Sequence, residues 1–239
     1  VVAGSDGSLI VTGFVRTSDT DVDFLTAKFD AAGKQVWANR YNGPGNDVDR
    51  ARSIALTAEA DIYVLGDSDN GRGNGLTRLS GLDLALVKYG RNGEKRWERR
   101  WNGGANGEEW AVQVLDDGTG GAYVLGNSLG RNGDAPGHMR FVLIRYDRSG
   151  STLWTRLGPK DGASDAVGMT LTSEGAICVA GSRISRPGRE SDAYAVCYDR
   201  DGRMRWQREF GRSNAASDWA RAIARDPASG TLYLAGIGR

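Results

Sequence analysis

The chain has 239 residues, and its 31 basic and 30 acidic side chains leave a formal net charge of +1. That balance excludes an overall field for nucleic acid or an anionic membrane surface, so nucleic acid is not expected as a partner. Thirty-five Gly against 5 Pro, with apolar runs far too short to span a bilayer, point to many short strands joined by tight turns and to no membrane insertion.

Val1 aligns with Ile54 of a later unit, so the chain opens inside a first strand and without an initiator Met. It reads as a processed or trimmed piece of a longer protein. Two markers then alternate along the chain. The first is an apolar run ending in Gly, seen at Ile10 to Gly13, Tyr63 to Gly66, Tyr123 to Gly126, Cys178 to Gly181 and Tyr233 to Gly236. The second is an aromatic residue, usually Asp, two further residues, Gly and then a Trp, at Phe29 to Trp37, Tyr89 to Trp97, Tyr146 to Trp154 and Tyr198 to Trp206. The steps from Trp to Trp are 60, 57 and 52 residues. Two markers in fixed order at one period define a structural repeat.

In the second unit, Arg52 to Leu56 and Asp61 to Gly66 are expected as the first and second strands, on their Ile, Tyr and Val content. Asp83 to Tyr89 is the third and Lys95 to Trp101 the fourth, where aromatics alternate with long charged stems. Asp in the connecting turn accepts backbone N–H groups, and Gly supplies the positive φ of a short hairpin. Gly90 replaces that Asp in the second unit, where a looser turn is expected. No segment holds a 3.6-residue period over ten or more residues, so the chain should be all-β. Four antiparallel strands per repeat predict a β-propeller, with four full blades and a half blade, in units of about 1–51, 52–111, 112–167, 168–220 and a partial 221–239.

The run Asp23 to Trp37, then Tyr41-Asn42-Gly43, Asp49 to Ala55 and Ile62 to Gly66 resembles the SBBP, or seven-bladed β-propeller, repeat of bacterial secreted and surface proteins. The resemblance covers essentially the whole chain. It implies a propeller and an extracellular, cell-surface or periplasmic home, and it names no catalytic residue. The Asp-x-x-Gly-x-x-x-Trp portion is also similar to the repeat of quinoprotein-like propellers.

Several residue sets are candidates for chemistry. Asp49, Glu109, Asp165 and Asp218 recur just before each first strand, where they could ring one mouth of the central channel and hold a cation such as calcium. A structural reading, in which each fixes a blade crossing through backbone N–H groups, is favoured because a repeated position is usually a repeated structural need. Asp19, Asp21 and Asp23, and the run Asp67 to Gly71, look partly like calcium loops but lack the Gly at position six and Glu at position twelve of an EF-hand. The single His, His138, has no second His or Cys near it in sequence and reads as a loop residue beside Gly130 to Gly137.

Cys178 stands where other units have Ile or Tyr, and Cys197 where they have Lys or Arg. Both exceptions fall in one blade on adjacent antiparallel strands, so the two should face each other, as a disulfide or as two buried thiols. The repeated Trp series is expected to wedge between blades. Trp110 and Trp219 share an off-pattern position beside the carboxylates and are the candidate exposed binding surface. With no nucleophile elbow and no Ser-His-Asp set, the expected function is a non-enzymatic binding or assembly module. Its partner would be a protein or a second copy, engaged through exposed blade edges. The alternatives are a carbohydrate-binding propeller with a glycan ligand and, behind it, a quinoprotein-like enzyme.

Overall fold

The structure is a computed structural model that describes all residues except 19–20, 72–80, 105–106, 130–137, 185–189, 212–216 and 239. Its described elements are all strands. The first blade holds β1 (Val2–Ala3), β2 (Leu9–Arg16), β3 (Val22–Phe29) and β4 (Gln35–Tyr41), and the second β5 (Asp49–Leu56), β6 (Ile62–Asp69), β7 (Leu82–Tyr89) and β8 (Lys95–Trp101). The third holds β9 (Glu108–Asp116), β10 (Ala122–Leu129), β11 (Met139–Tyr146) and β12 (Thr152–Leu157). The fourth holds β13 (Ala163–Leu171), β14 (Ile177–Ile184), β15 (Asp192–Tyr198) and β16 (Met204–Phe210), and a half blade follows in β17 (Asp218–Arg225) and β18 (Leu232–Gly238). Within each sheet the strands pair antiparallel in sequence order. The chain is therefore a β-propeller array of four-stranded blades, as the repeat predicts.

First strands begin earlier than expected. β5 starts at Asp49 and not Arg52, and β9, β13 and β17 shift likewise. Polar residues that read as a connecting loop are already in the ladder, because their partner strand pairs back to them: Asp49 lies opposite Ser68 and Arg50 opposite Asp67. Every later first strand also carries an irregularity in register beside its small residue, at Ala51/Ser53, Ala166/Gly168 and Ala220/Ala222, with the matching break at Leu125/Gly126. A bulge at this point adds twist where the chain runs along the axis.

Third strands are apolar on both faces because a blade is covered by neighbours on both sides; all of β7 is buried. The spacing between blades widens outward, and side-chain size follows it. Near the axis, a Cβ added at Gly126 would lie 2.7 Å from a Leu84 methyl of the preceding blade, so Gly is required by close approach. Near the rim a Trp fills the gap. Trp37, Trp97 and Trp154 donate their indole N–H to the carbonyls of Arg91, Arg148 and Arg200, at 3.4, 3.1 and 2.8 Å, each in the turn of the next blade. The side chain two residues on adds a second bond: Asn39 to Gly93 at 2.6 Å, Arg99 to Gly150 at 2.7 Å and Arg156 to Gly202 at 2.5 Å. These Trp residues are interblade wedges, as their repetition implies.

The turn at Gly90 is not looser than its counterparts. Gly90 N–H meets Glu94 O at 2.9 Å and Gly93 N–H meets Gly90 O at 2.9 Å, the same closure as Asp30 with Lys34 and Gly33 with Asp30. The backbone pair carries the turn. The Asp side chain only adds to it, as Asp30 does through the N–H groups of Ala32 and Lys34.

The wedge predicts a graded response to two equivalent substitutions. Gly33 and Gly202 have φ of 80° and 76°. A Cβ at Gly33 meets nothing within 4 Å, whereas at Gly202 it would lie 2.8 Å from Cδ2 of Trp154. Gly33→Ala should cost about 1 kcal/mol for the left-handed backbone alone, and Gly202→Ala at least about 1 kcal/mol more for displacing the wedge. Urea denaturation of both variants checks the difference.

Candidate functional site

At the axial ends of the strands, the acidic residues expected to form a ring divide into two sets. The residues two before the small Ala of each first strand are Asp49, Glu109, Ser164 and Asp218, by register against β6, β10, β14 and β18. Asp165 lies one position further on and points to the opposite face of its strand. The irregularity at Ala166/Gly168 fixes this frame, and Ser164 takes the carboxylate's place in the fourth blade. Asp165 instead accepts the N–H of Ser182 at 2.9 Å. Among the described residues, no three His, Cys, Asp or Glu side chains gather in a geometry that could hold a metal ion.

Asp49 and Glu109 are fully buried and locally engaged. Asp49 accepts the N–H of Gly43 at 2.6 Å, and Glu109 accepts the hydroxyl of Ser128 at 2.8 Å. Burial pushes the Asp49 carboxyl above its ordinary range, against the opposing pull of the Ser68 hydroxyl and the Gly43 N–H. Burial likewise raises Asp67, against the Ala111 N–H and Arg52. Asp49 holds the crossing from the first blade into the second and Asp67 ties the second blade to the third, whereas Glu109 bonds within its own blade.

The position shared by Trp110 and Trp219 is the one Asp165 occupies, opposite Asn127, Ile237 and Ser182 respectively. Arg50 completes the series opposite Asp67. The two Trp residues therefore stand on separate blades with the Asp165 blade between them. Trp219 alone opens onto a groove of about 730 Å³, lined also by Glu209, Phe210, Leu234 and Ile237, between β16 and the half blade. Among the described residues β18 pairs with β17 only. Its other edge is the one that receives the third strand in each full blade.

The calcium-loop candidates also resolve. Asp67, Ser68 and Asp69 are the last residues of β6. Asp67 spans two blades, accepting the Ala111 N–H at 2.6 Å and Arg52 Nε at 2.7 Å. Asp23 is buried against Arg40 Nε at 2.8 Å, Asp21 caps a turn with Thr17 and Ser18, and Asp19 lies outside the described residues. His138 is half-buried just ahead of β11, and Gly130 to Gly137 lie outside the described residues.

Sequence reading missed the polar fasteners beside the bulges. Asn127 exchanges two bonds with Ala166, at 3.0 and 2.8 Å, and Gln113 accepts the Met169 N–H at 2.7 Å. For Asn127 and its counterpart Asp67 the signal was available as an amide or carboxyl residue following the Gly of the apolar marker. A buried ion cluster was missed as well: Arg100 donates to Asp83 at 3.2 Å, Tyr41 at 3.2 Å and the Ser68 carbonyl at 2.9 Å. The first blade has the same pair as Asp23 and Arg40, while in the fourth the cation moves to Arg183, which meets Glu209 and Asp161.

Cys178 and Cys197 face each other across β14 and β15 and form a disulfide, with both residues buried. The equivalent pairs are Ile10 with Lys28, Tyr63 with Lys88 and Tyr123 with Arg145. Lys88 and Arg145 reach carbonyls of the following blade, Gly120 at 3.2 Å and Arg200 at 2.8 Å. In the fourth blade the cystine fills the sheet interior in place of such a cation.

No protein-family model and no curated protein matches the sequence. Among solved structures, the chain is similar to a polysaccharide lyase of family PL25, an ulvan lyase, with TM-score 0.58 and 14% identity over 98% of this chain and 63% of that one. It is similar to puromycin hydrolase with TM-score 0.55 and 11% identity, over 98% of this chain and 35% of that one. The β-propeller domain of the Trilobed protease from Pyrococcus furiosus gives TM-score 0.51 and 8% identity over 99% and 68%. The chain spans less than two thirds of the lyase and the hydrolase. At these identities the likeness shows the fold alone.

Two measurements follow from these placements. A carboxyl whose folded pKa is raised contributes stability only while protonated, so Asp49 stabilises below the ordinary carboxylate value and loses that contribution as pH rises through its folded value. Asp49→Asn should therefore gain in stability relative to the native chain as pH rises above the ordinary carboxylate value, read by thermal unfolding across that range. A stability difference independent of pH would show that Asp49 does not titrate in a buried setting. For the cystine, the 19-residue separation makes Cys178→Ala with Cys197→Ala cost about 3 kcal/mol in urea denaturation, most of it through a less constrained unfolded chain.

Proposed function

We propose that this chain is a non-enzymatic binding or assembly module of a secreted or cell-surface bacterial protein, and that it engages a protein partner or a second copy through exposed apolar surface of its blades. The observation that carries the reading is a groove of about 730 Å³ beside β16, with Phe210, Tyr233 and Ile237 around it 49%, 59% and 49% exposed. Exposed apolar residues gathered around a groove mark a protein-binding surface.

Leu9 and Val11, 47% and 41% exposed on β2, form a second apolar patch, and contact between two different patches on two copies is a heterologous association that extends or closes according to its rotation. The resemblance of the repeat to SBBP proteins supports an extracellular or surface setting, as does the buried disulfide, which persists outside reducing compartments. Polar side chains at the axis are engaged in holding strands, which favours a scaffold over a catalyst.

Native mass spectrometry over a range of concentrations tests the reading. Dimers or longer assemblies are expected to grow with concentration, and Phe210→Lys or Ile237→Lys should return them to single chains without loss of thermal stability. Single-chain masses at every concentration would overturn self-association.

A further inference from the structure

The slots between blades follow one plan but are filled differently. Between the second and third blades Tyr63 fills the slot. Its hydroxyl donates to the Gly120 carbonyl at 2.6 Å, its ring centre is 5.6 Å from Trp97, and Lys88 Nζ stands 4.9 Å over the ring. Between the third and fourth, Tyr123 lies 5.8 Å from Trp154 with the Arg145 guanidinium 5.4 Å over its ring. In the fourth blade the same pair of positions is the cystine.

Between the first and second blades the position belongs to Ile10, opposite Lys28. Ile has neither the ring nor the hydroxyl. A cavity of about 610 Å³ opens there, lined by Ile10, Ile62, Leu56, Lys28, Asp6 and Ala60 among others. Its floor is apolar, since Ile10 and Ile62 are each 1% exposed. Lys28 remains at the rim, its Nζ 3.5 Å from Asp6. The hydrogen bonds from Ser8 hold the Asp6 carboxyl down at about 2, so this anchor for the ammonium stays charged. Ala60 occupies the turn position of Gly120, with φ of 64° against 83°, so its carbonyl is the counterpart of the Tyr63 acceptor. The cation, the apolar floor and the acceptor position are thus all present, and only the aromatic ring is missing. Apolar cavities left by a missing side chain take up aromatic molecules of matching size, and a volume of this order leaves room for a ring substituent.

We propose that the slot between the first and second blades is a binding site for a small hydroxylated aromatic molecule. Its ring rests on Ile10 and Ile62 with the Lys28 ammonium over its face, and its hydroxyl donates to the Ala60 carbonyl. The inference is independent of binding at the groove beside β16, which shares no lining residue with this cavity.

The probe is 4-methylphenol, the side chain of tyrosine as a free molecule, titrated into the whole chain and followed by amide shifts in NMR. Saturable one-to-one binding with a dissociation constant of about 1 mM or tighter is expected, with shifts centred on Ile10, Lys28 and Ala60. Ile10→Tyr fills the slot from within and should weaken binding at least about tenfold while keeping the fold, as Tyr63 and Tyr123 do in their blades. Toluene, which lacks the hydroxyl, should bind several-fold more weakly. Absence of saturation at about 10 mM, or shifts centred elsewhere, would overturn the site even if Ile10→Tyr fails to fold. Unchanged affinity in Ile10→Tyr would do the same, and equal affinity for toluene would overturn the hydroxylated class.

Discussion

The interaction on which the rest of the array depends is the wedge of each fourth-strand Trp against the turn of the next blade. A single blade has two apolar faces and cannot bury either alone, so its stability is borrowed from its neighbours. Because blades diverge from an axis, the gap to be filled is narrow inside and wide outside. The sequence meets that taper with Gly126 against Leu84 near the axis and Trp97 against Gly150 at the rim. The Asp-x-x-Gly-x-x-x-Trp motif thus joins two requirements that belong to different blades. Its Gly closes a hairpin of its own blade and also leaves a surface flat enough for the Trp of the preceding one.

Polar groups near the axis serve the same end by a different route. A bulge in each first strand after β1 adds twist and turns a backbone N–H toward the preceding blade, and Asp67, Asn127 and Gln113 accept such groups at Ala111, Ala166 and Met169. Burying a carboxylate is costly unless it is bonded, and here the cost is offset by N–H groups that would otherwise be orphaned. The ion pairs near the ends of the third strands show that charge position is less constrained than charge balance. Asp23 with Arg40 and Asp83 with Arg100 place the cation on the fourth strand, whereas the fourth blade places it on the second strand as Arg183 and the anion on the fourth as Glu209.

The blades, their strand order, the interblade role of Trp and the facing of Cys178 and Cys197 were legible because each is written as a recurring residue at a fixed offset. Register at the start of each first strand was not. A bulge inserts one residue without changing the apolar pattern, so Asp165 falls in line with Asp49 and Glu109 in the sequence while its backbone position is that of Trp110 and Trp219. Gly90 misled for a related reason: the motif displays the Asp side chain, but the closure is made by main-chain groups that any residue carries. The slot at Ile10 was legible as an exception to Tyr and illegible as a cavity, since whether a neighbour moves in to fill the space is decided by packing and not by offset.

In an array whose consensus residues are occupied with holding blades together, departures from consensus are the places free to acquire a role. Where Tyr63 and Lys88 close one slot completely, the chain has at the same two positions an open cavity in the first blade and a covalent crosslink in the fourth. These are opposite solutions to the loss of one aromatic side chain. The crosslink ties β14 to β15 within one sheet, whereas Tyr63 and Lys88 reach a carbonyl of the following blade, so a bond within a blade stands where other blades bond to their neighbour. At the first blade the ladder between β2 and β3 runs unbroken past Ile10, so the space that Ile10 leaves opens between blades and not within the sheet.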